Sequence, residues 1–289
     1  MKSRFDSAQN RSASKTTLWA NPFTLFSDTD TRSYSLDKKK VLVVGASGRV
    51  GGVFLKTFAD RYELSALNRR PIESVPCHRA DISNLDAILP AFKGIDTVLS
   101  LVNEGGLNDW DSQLSVNIIG VRNIYEAARL SDVKRVIFTS SGATILGYGL
   151  DAPYREVLSG EYDRIPASWP LVSETWPVRP DSVYGATKVW GEALGHYYSD
   201  YHSLSVICVR LGAFLADDSP GNSRSIAGYT SHEDAMRMFR LCIEVDDSIR
   251  YDLFELVSDN QYRWRDNSHS KEVLGFTSTR NSDDFIQSE

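Results

Sequence analysis

The sequence predicts an α/β fold of Rossmann type: a doubly wound parallel sheet with a small C-terminal substrate-binding region. Three observations carry this. Short apolar runs alternate with helix-like stretches along the chain, the pattern of a parallel sheet covered on both faces. The first run ends in Gly45-x-x-Gly48-x-x-Gly51. Far downstream, Tyr184 and Lys188 stand four residues apart, the spacing that puts two side chains on one helix face.

Taken in order, residues 1 to about 38 differ from the rest. They are rich in Ser and Thr, and their first half carries Lys2, Arg4, Arg11 and Lys15 against Asp6 alone. This reads as a disordered N-terminal tail, with residues 39–289 forming a single domain. A transit-like presequence, Arg- and Ser-rich and poor in acids, is an open alternative. So is a start codon assigned too early.

Lys38-Lys39-Lys40 leads into the apolar run Val41 to Val44, which reads as a buried parallel strand. Val50 to Phe58 has helical character. Glu63 to Leu67 and Asp96 to Val102 are further strands, with a short third strand before Asp81-Ile82. Val116 to Leu130 reads as one clean helix. Arg135 to Thr139 is a strand ending in Ser140-Ser141-Gly142. Residues 146–182 are loop-like and hold many aromatics and prolines. Tyr184 to Tyr198 is a long helix and Leu204 to Leu211 a strand. Ser231-His232-Glu233-Asp234 resembles a capping box opening a helix through about Val245. Tyr251 to Val257 is a strand, and Lys271 to Gly275 a short helix ended by glycine. Substrate-binding elements are expected in about 142–182 and 212–289.

Bulk properties exclude some classes. The net charge of −6 and the lack of a basic stripe argue against nucleic acid. No apolar stretch is long enough to span a membrane. Cys77, Cys208 and Cys242 form no CxxC pair, which suits a reducing, cytoplasmic location. The histidines lack metal-ligand spacing, so no metal site is expected.

The glycine turn has a defined chemistry. Gly45 permits a tight turn, Gly48 lets backbone approach a pyrophosphate, and Gly51 lets the helix pack close to the sheet. The helix N-terminus then faces the phosphates, with Ser47, Arg49 and Val50 beside them. At the end of the second strand, an acid would accept from the 2′-hydroxyl of NAD, whereas arginine accommodates the 2′-phosphate of NADP. The stretch there is Asn68-Arg69-Arg70, so NADP is favoured over NAD. Asp81 and Ile82 are placed to meet the adenine. Asp81 is equally suited to a turn or cap.

A lysine ammonium beside a tyrosine favours the phenolate and lowers the phenol pKa from its usual value of about 10. Such a phenol can exchange a proton with a substrate hydroxyl while hydride moves to or from a nicotinamide. Tyr-x-x-x-Lys gains weight here from Ser140-Ser141 at a strand end and from Asn117 on the preceding helix. Together these features resemble the extended short-chain dehydrogenase/reductase superfamily, in its NAD-dependent epimerase/dehydratase group, over about residues 40–277. Within it, Asn117-Ile118-Ile119-Gly120, Arg179-Pro180-Asp181-Ser182-Val183-Tyr184-Gly185, Lys188-Val189-Trp190-Gly191-Glu192, Val209-Arg210-Leu211-Gly212 and Trp264-Arg265-Asp266-Asn267 are most similar to uronate dehydrogenases and related sugar dehydrogenases.

The resemblance implies roles. Tyr184 would be the general acid/base, and Lys188 would bind the nicotinamide ribose and lower the Tyr184 pKa. Ser141 would hold the reacting oxygen, with Ser140 a weaker candidate for that task. Asn117 would shape its helix and hold a relay water. Leu101 would lie beside the cofactor. Arg224 falls where uronate dehydrogenases set an arginine on the substrate carboxylate, a task suited to a guanidinium fork. It lies in a polar loop, where a solvated arginine is the plain alternative. The resemblance also implies a homodimer built on the Val116–Leu130 and Tyr184–Tyr198 helices.

Departures fall on the substrate side. Gly142-Ala143 stand where uronate dehydrogenases carry Asn-His, and Gly105-Gly106 replace a serine. The segment from Ser141 to Tyr184 is long and holds Tyr148, Tyr154, Tyr162, Trp169 and Trp176, either a lid or a packed surface loop. The favoured function is hydride transfer between nicotinamide and a hydroxyl or carbonyl of a sugar or sugar acid. A nucleotide-sugar epimerase or dehydratase with retained cofactor, and a non-catalytic dinucleotide-binding protein, are the alternatives.

Overall fold

A seven-stranded, all-parallel sheet organises the chain, in the order β3-β2-β1-β4-β5-β6-β7. The structure is a computed structural model and describes residues 38–104 and 109–286. The N-terminal tail and the Gly105-Gly106 position lie outside the described residues.

The strands are β1 (Lys40–Val44), β2 (Glu63–Asn68), β3 (Cys77–Arg79), β4 (Thr97–Ser100), β5 (Arg135–Ser141), β6 (Ser205–Leu211) and β7 (Tyr251–Leu256). Helix α1 (Arg49–Phe58) joins β1 to β2, and the single turn α2 (Leu85–Ile88) precedes β4. Helices α3 (Trp110–Gln113) and α4 (Val121–Leu130) lead to β5, and α5 (Tyr154–Ser159) and α6 (Val183–His202) to β6. Then α7 (Ser223–Gly228) and α8 (His232–Glu244) lead to β7, and α9 (Ser268–Leu274) follows it. The strand order reverses between β1 and β4. The carboxyl ends of strands part at such a point and leave a crevice for a ligand.

Why the strands read as unbroken apolar runs is plain from the two faces. Val41 and Val43 point to one side, with Phe54 and Phe58 of α1 and Met238 and Phe239 of α8. Leu42 and Val44 point to the other, with Ile124 and Tyr125 of α4 and Tyr198 of α6. Both faces are buried, so no polar alternation survives. Truncating a fully buried ring such as Phe239 to alanine would cost about 3–5 kcal/mol.

The stretch read as one clean helix is interrupted. A π-helical segment, Leu114–Gly120, separates α3 from α4. At its end Gly120 leaves room for Ile82: a Cβ there would fall 2.4 Å from Ile82 Cδ1. Such bulges concentrate at functional sites, and this one carries Asn117. The capping box of α8 is half formed. Ser231 accepts from the Asp234 amide at 3.0 Å, but the Asp234 carboxylate accepts from Ser258 Oγ at 2.6 Å and from the Thr279 amide at 2.9 Å. It ties β7's exit to the C-terminal segment instead.

Residues 146–182 are more ordered than their composition suggests. They contain α5 and pack a third core with Trp264, in which Tyr154 lies 6.0 Å from Trp264 and Tyr148 lies 5.3 Å from Trp176, ring centre to ring centre. Tyr162 stacks on Tyr262 at 3.7 Å. These aromatics pack against one another and against the C-terminal segment. Among the described residues no helix is long and apolar enough to cross a membrane, and no group of three or more His, Cys, Asp or Glu is placed to hold a metal.

Candidate active site

The turn after β1 forms the floor of a cavity of about 910 Å³ at the strand-order reversal. Gly45 has φ +83°, and a Cβ there would sit 3.3 Å from the Leu101 carbonyl, so both conformation and space require glycine. Gly48 caps α1 with extended backbone and no side-chain bond. The first-turn amides of α1 therefore lack a protein side-chain cap, as an anion site at a helix N-terminus needs. Ser47, Arg49, Val50, Gly51, Asn68, Arg69, Asp81, Ile82 and Leu101 line the same cavity. The size and the open glycine cradle fit a dinucleotide.

Three of these side chains also have partners within the protein. The Asn68 amide oxygen accepts from Ser47 Oγ at 3.1 Å, and its nitrogen donates to the Arg70 carbonyl at 2.8 Å. Asn68 thus clamps the glycine turn to the loop after β2. Arg69 is exposed and meets Glu104 at 3.5 Å. Asp81 both lines the cavity and accepts from the Ser83 amide at 2.9 Å, a turn bond that holds its carboxyl below the usual range.

The catalytic candidates converge at the ends of β4 and β5. Ser182 caps α6 by accepting from the Gly185 amide at 3.1 Å. That starts the helix one residue before Tyr184 and directs its first two turns at the sheet. Lys188 is buried and donates to the carbonyls of Val102 at 2.9 Å and Thr139 at 3.0 Å. Burial, opposed only in part by the charge of Glu192, pushes its pKa down to about 7. Ser141 Oγ accepts from the Ala143 amide at 3.1 Å, and its side chain lies near enough to the Tyr184 phenol to lower the phenol pKa against burial.

The expected depression of the Tyr184 pKa is not what this geometry gives. Burial raises it, and the nearby Ser141 side chain offsets only part of that rise. The Lys188 ammonium spends its donors on two carbonyls and is itself desolvated, so it exerts no resolved pull on the phenol. Asn117 is buried and accepts from the Glu104 amide at 3.2 Å while donating to Thr187 Oγ1 at 3.2 Å. It joins the π segment, the loop after β4 and α6 through direct bonds.

Ser140 points away from the phenol. Its hydroxyl donates to Glu192 at 2.5 Å, so the alternation along β5 leaves Ser141 alone of the pair at the site.

A second cavity, of about 340 Å³, adjoins the first at Leu211. Ser141, Gly142, Leu146, Arg224, Trp264 and Arg265 line it. Arg224 is exposed at its rim and pairs with Asp181 at 2.9 Å.

Beneath this cavity lies a network that sequence reasoning missed. Arg210 bridges Glu192 at 2.8 Å and Glu255 at 3.1 Å, and Arg265 holds Glu255 at 2.6 Å through Nε. All four residues are buried. One signal was present: Arg210 and Glu255 each interrupt an apolar strand, and they are register partners on β6 and β7. A charge buried in a central strand needs a partner.

Comparison with known proteins follows this geometry. The L-arabinose 1-dehydrogenase (NAD(P)(+)) of Haloferax volcanii is 31% identical over 86% of this chain and 99% of its own. The NAD-dependent glucose-6-phosphate dehydrogenase of the same organism is 30% identical over 85% of this chain and 95% of its own. The crystal structure of uronate dehydrogenase from Agrobacterium tumefaciens superposes with a TM-score of 0.73 at 27% identity, covering 86% of each chain. Residues 41–227 match the NAD dependent epimerase/dehydratase family, and the chain belongs to that family.

Proposed function

We propose that the protein is an NAD(P)-dependent dehydrogenase that oxidises a hydroxyl of a sugar or sugar acid, with Tyr184 as acid/base. The observation that carries this is the approach of Ser141, which lines the smaller cavity, to the Tyr184 phenol, one helical turn from a buried Lys188 and beside a dinucleotide-sized crevice. Three relatives that share the fold act on a pentose, a sugar phosphate and a uronate by name. All three are dehydrogenases.

In this reading Ser141 donates to the substrate hydroxyl oxygen and orients it. Tyr184, as phenolate, accepts the hydroxyl proton as the carbonyl forms. The bound nicotinamide supplies the acceptor for the hydride, two electrons and one hydrogen, leaving the carbinol carbon. Lys188, anchored on the Val102 and Thr139 carbonyls, binds the nicotinamide ribose. Asn117 holds α6 against the loop after β4. Arg224 meets the substrate at the rim, exchanging Asp181 for a substrate oxygen. Segments 142–182 and 212–286 both contribute walls to the smaller cavity, in keeping with a substrate-binding role. NADP is the favoured cofactor, because the β2 end offers Arg69 and no acid. The location is cytoplasmic, in keeping with three unpaired cysteines, and the protein is a homodimer through α6.

The test is near-ultraviolet absorbance of reduced nicotinamide when the protein receives NADP or NAD with a panel of aldoses, uronic acids and sugar phosphates. Reduction with one class establishes the dehydrogenase. Cofactor retained through purification, with no net reduction across the panel, assigns the site to an epimerase instead.

A further inference from the structure

We propose that Arg265 is a specificity-determining residue of this site, donating from Nη1 to an uncharged hydroxyl of the sugar in the smaller cavity. This rests on the dehydrogenase reading above.

Arg265 is 2% exposed and lines that cavity with Ser141. Two of its three nitrogens are committed: Nε donates to Glu255 at 2.6 Å, and Nη2 pairs with Glu255 at 2.5 Å and donates to the Arg210 carbonyl. Nη1 has no partner among the described residues. It is also the atom nearest Gly142, where a Cβ would fall only 2.7 Å away. Gly142 does not have positive φ, so its backbone tolerates any side chain. Space alone calls for glycine, because the guanidinium occupies the volume a side chain would fill. An anchored fork with one free N–H, set beside the residue after Ser141, is a built donor rather than a solvated charge.

Charge decides the class of acceptor. Arg210 and Arg265 face Glu192 and Glu255, so the buried set sums to zero. At the rim, Arg224 is paired with Asp181. A substrate carboxylate or phosphate would lose its hydration without meeting a net positive site. A hydroxyl acceptor loses far less and still receives the N–H.

The experiment crosses enzyme variants with hydroxyl-deleted substrates. Values of kcat/KM are measured for D-glucose, D-galactose and L-arabinose, for each monodeoxy analogue, and for D-glucuronate and D-galacturonate. The proteins are the parent, Arg265→Met and Gly142→Ala, with cofactor affinity followed by fluorescence. Expected is a loss of about tenfold or more for Arg265→Met on the preferred neutral sugar, shrinking to within about threefold on one monodeoxy analogue. Cofactor affinity stays unchanged. Gly142→Ala, whose methyl displaces the guanidinium, gives the same signature and holds the test if Arg265→Met does not fold. Equal losses on the sugar and every analogue, in either variant, overturn the proposal and leave the dehydrogenase reading intact. So does a parent that prefers a uronate to its neutral counterpart by more than about tenfold. A parent inert toward every sugar overturns both.

Discussion

The Lys188 ammonium lies 5.7 Å from the centre of the Tyr184 ring, one helical turn along α6. It lies 5.0 Å from the Phe138 ring on its other side. The cation is therefore walled by two aromatic faces and anchored to two carbonyls, which fixes its place below the phenol without a direct bond to it. Tyr184→Phe removes the proposed proton acceptor and leaves this packing in place. Turnover should fall about a hundredfold to ten-thousandfold, with cofactor affinity within about twofold by fluorescence titration. Full turnover in that variant would remove Tyr184 from the chemistry.

Lys188 also makes a stability prediction with a definite sign. Its pKa falls from 10.5 to about 7 on folding, chiefly through burial. Between those values the unfolded chain binds the extra proton, so the folded state gains stability as pH rises through that window. Below pH 7 the desolvation cost is present in full. Relative to Lys188→Met, the parent should gain roughly 1.4 kcal/mol per pH unit within the window, read from urea denaturation at several pH values. A difference between the two proteins that does not change with pH would show Lys188 to be hydrated and ordinary.

In the proposed reaction Ser141 should set the pH profile. Its side chain is what lowers the Tyr184 pKa against burial. Ser141→Ala should move the rising limb of kcat/KM for sugar oxidation to higher pH, as well as lowering the rate. A lower rate on an unmoved limb would confine Ser141 to orienting the substrate.

How much of this was legible beforehand differs by layer. The parallel sheet could be read because each strand is buried on both faces and spells an apolar run. The Gly45 turn could be read because its backbone demands show in residue type. The π segment around Asn117 could not, since nothing in the local sequence signals the wider turn; the contact of Ile82 with Gly120 that accompanies it spans 38 residues. The Tyr184 pKa was misjudged because spacing along a helix reports neighbours but not desolvation. Arg265 was quoted as part of a motif, yet its role depends on Glu255, Arg210 and Gly142, which come from three separate strands and loops.

The proposed preference for NADP rests on Arg69. Its guanidinium is exposed and only loosely tied to Glu104, so it can swing to a 2′-phosphate at little cost. Arg69→Ala should raise the KM for NADP about tenfold or more and leave that for NAD within about twofold. Glu104→Gln should do the opposite for NADP, by releasing the arginine. Equal use of both cofactors by the parent would sink the NADP preference.

The exposed face of α6 argues for a second copy of the chain. Val183, Trp190 and Tyr197 recur every seven residues and are 48%, 39% and 47% exposed, with Tyr201 at 75% one turn further. Seven residues is nearly two helical turns, so they form one apolar ridge. Trp110 and Ile119, at 52% and 43%, add apolar surface on the segment leading into α4. On the buried side, Gly191 and Gly195 let α6 approach Phe138 and Tyr125 so closely that a Cβ at either would clash. The helix therefore packs glycines against the sheet and leaves a ridge of large apolar residues outward, unlike a solvated surface helix. A parent of twice the chain mass by light scattering, and a Trp190→Asp variant of single mass with unchanged far-ultraviolet circular dichroism, are expected. A parent that stays at single mass at high concentration would leave this ridge to some other partner and remove the homodimer.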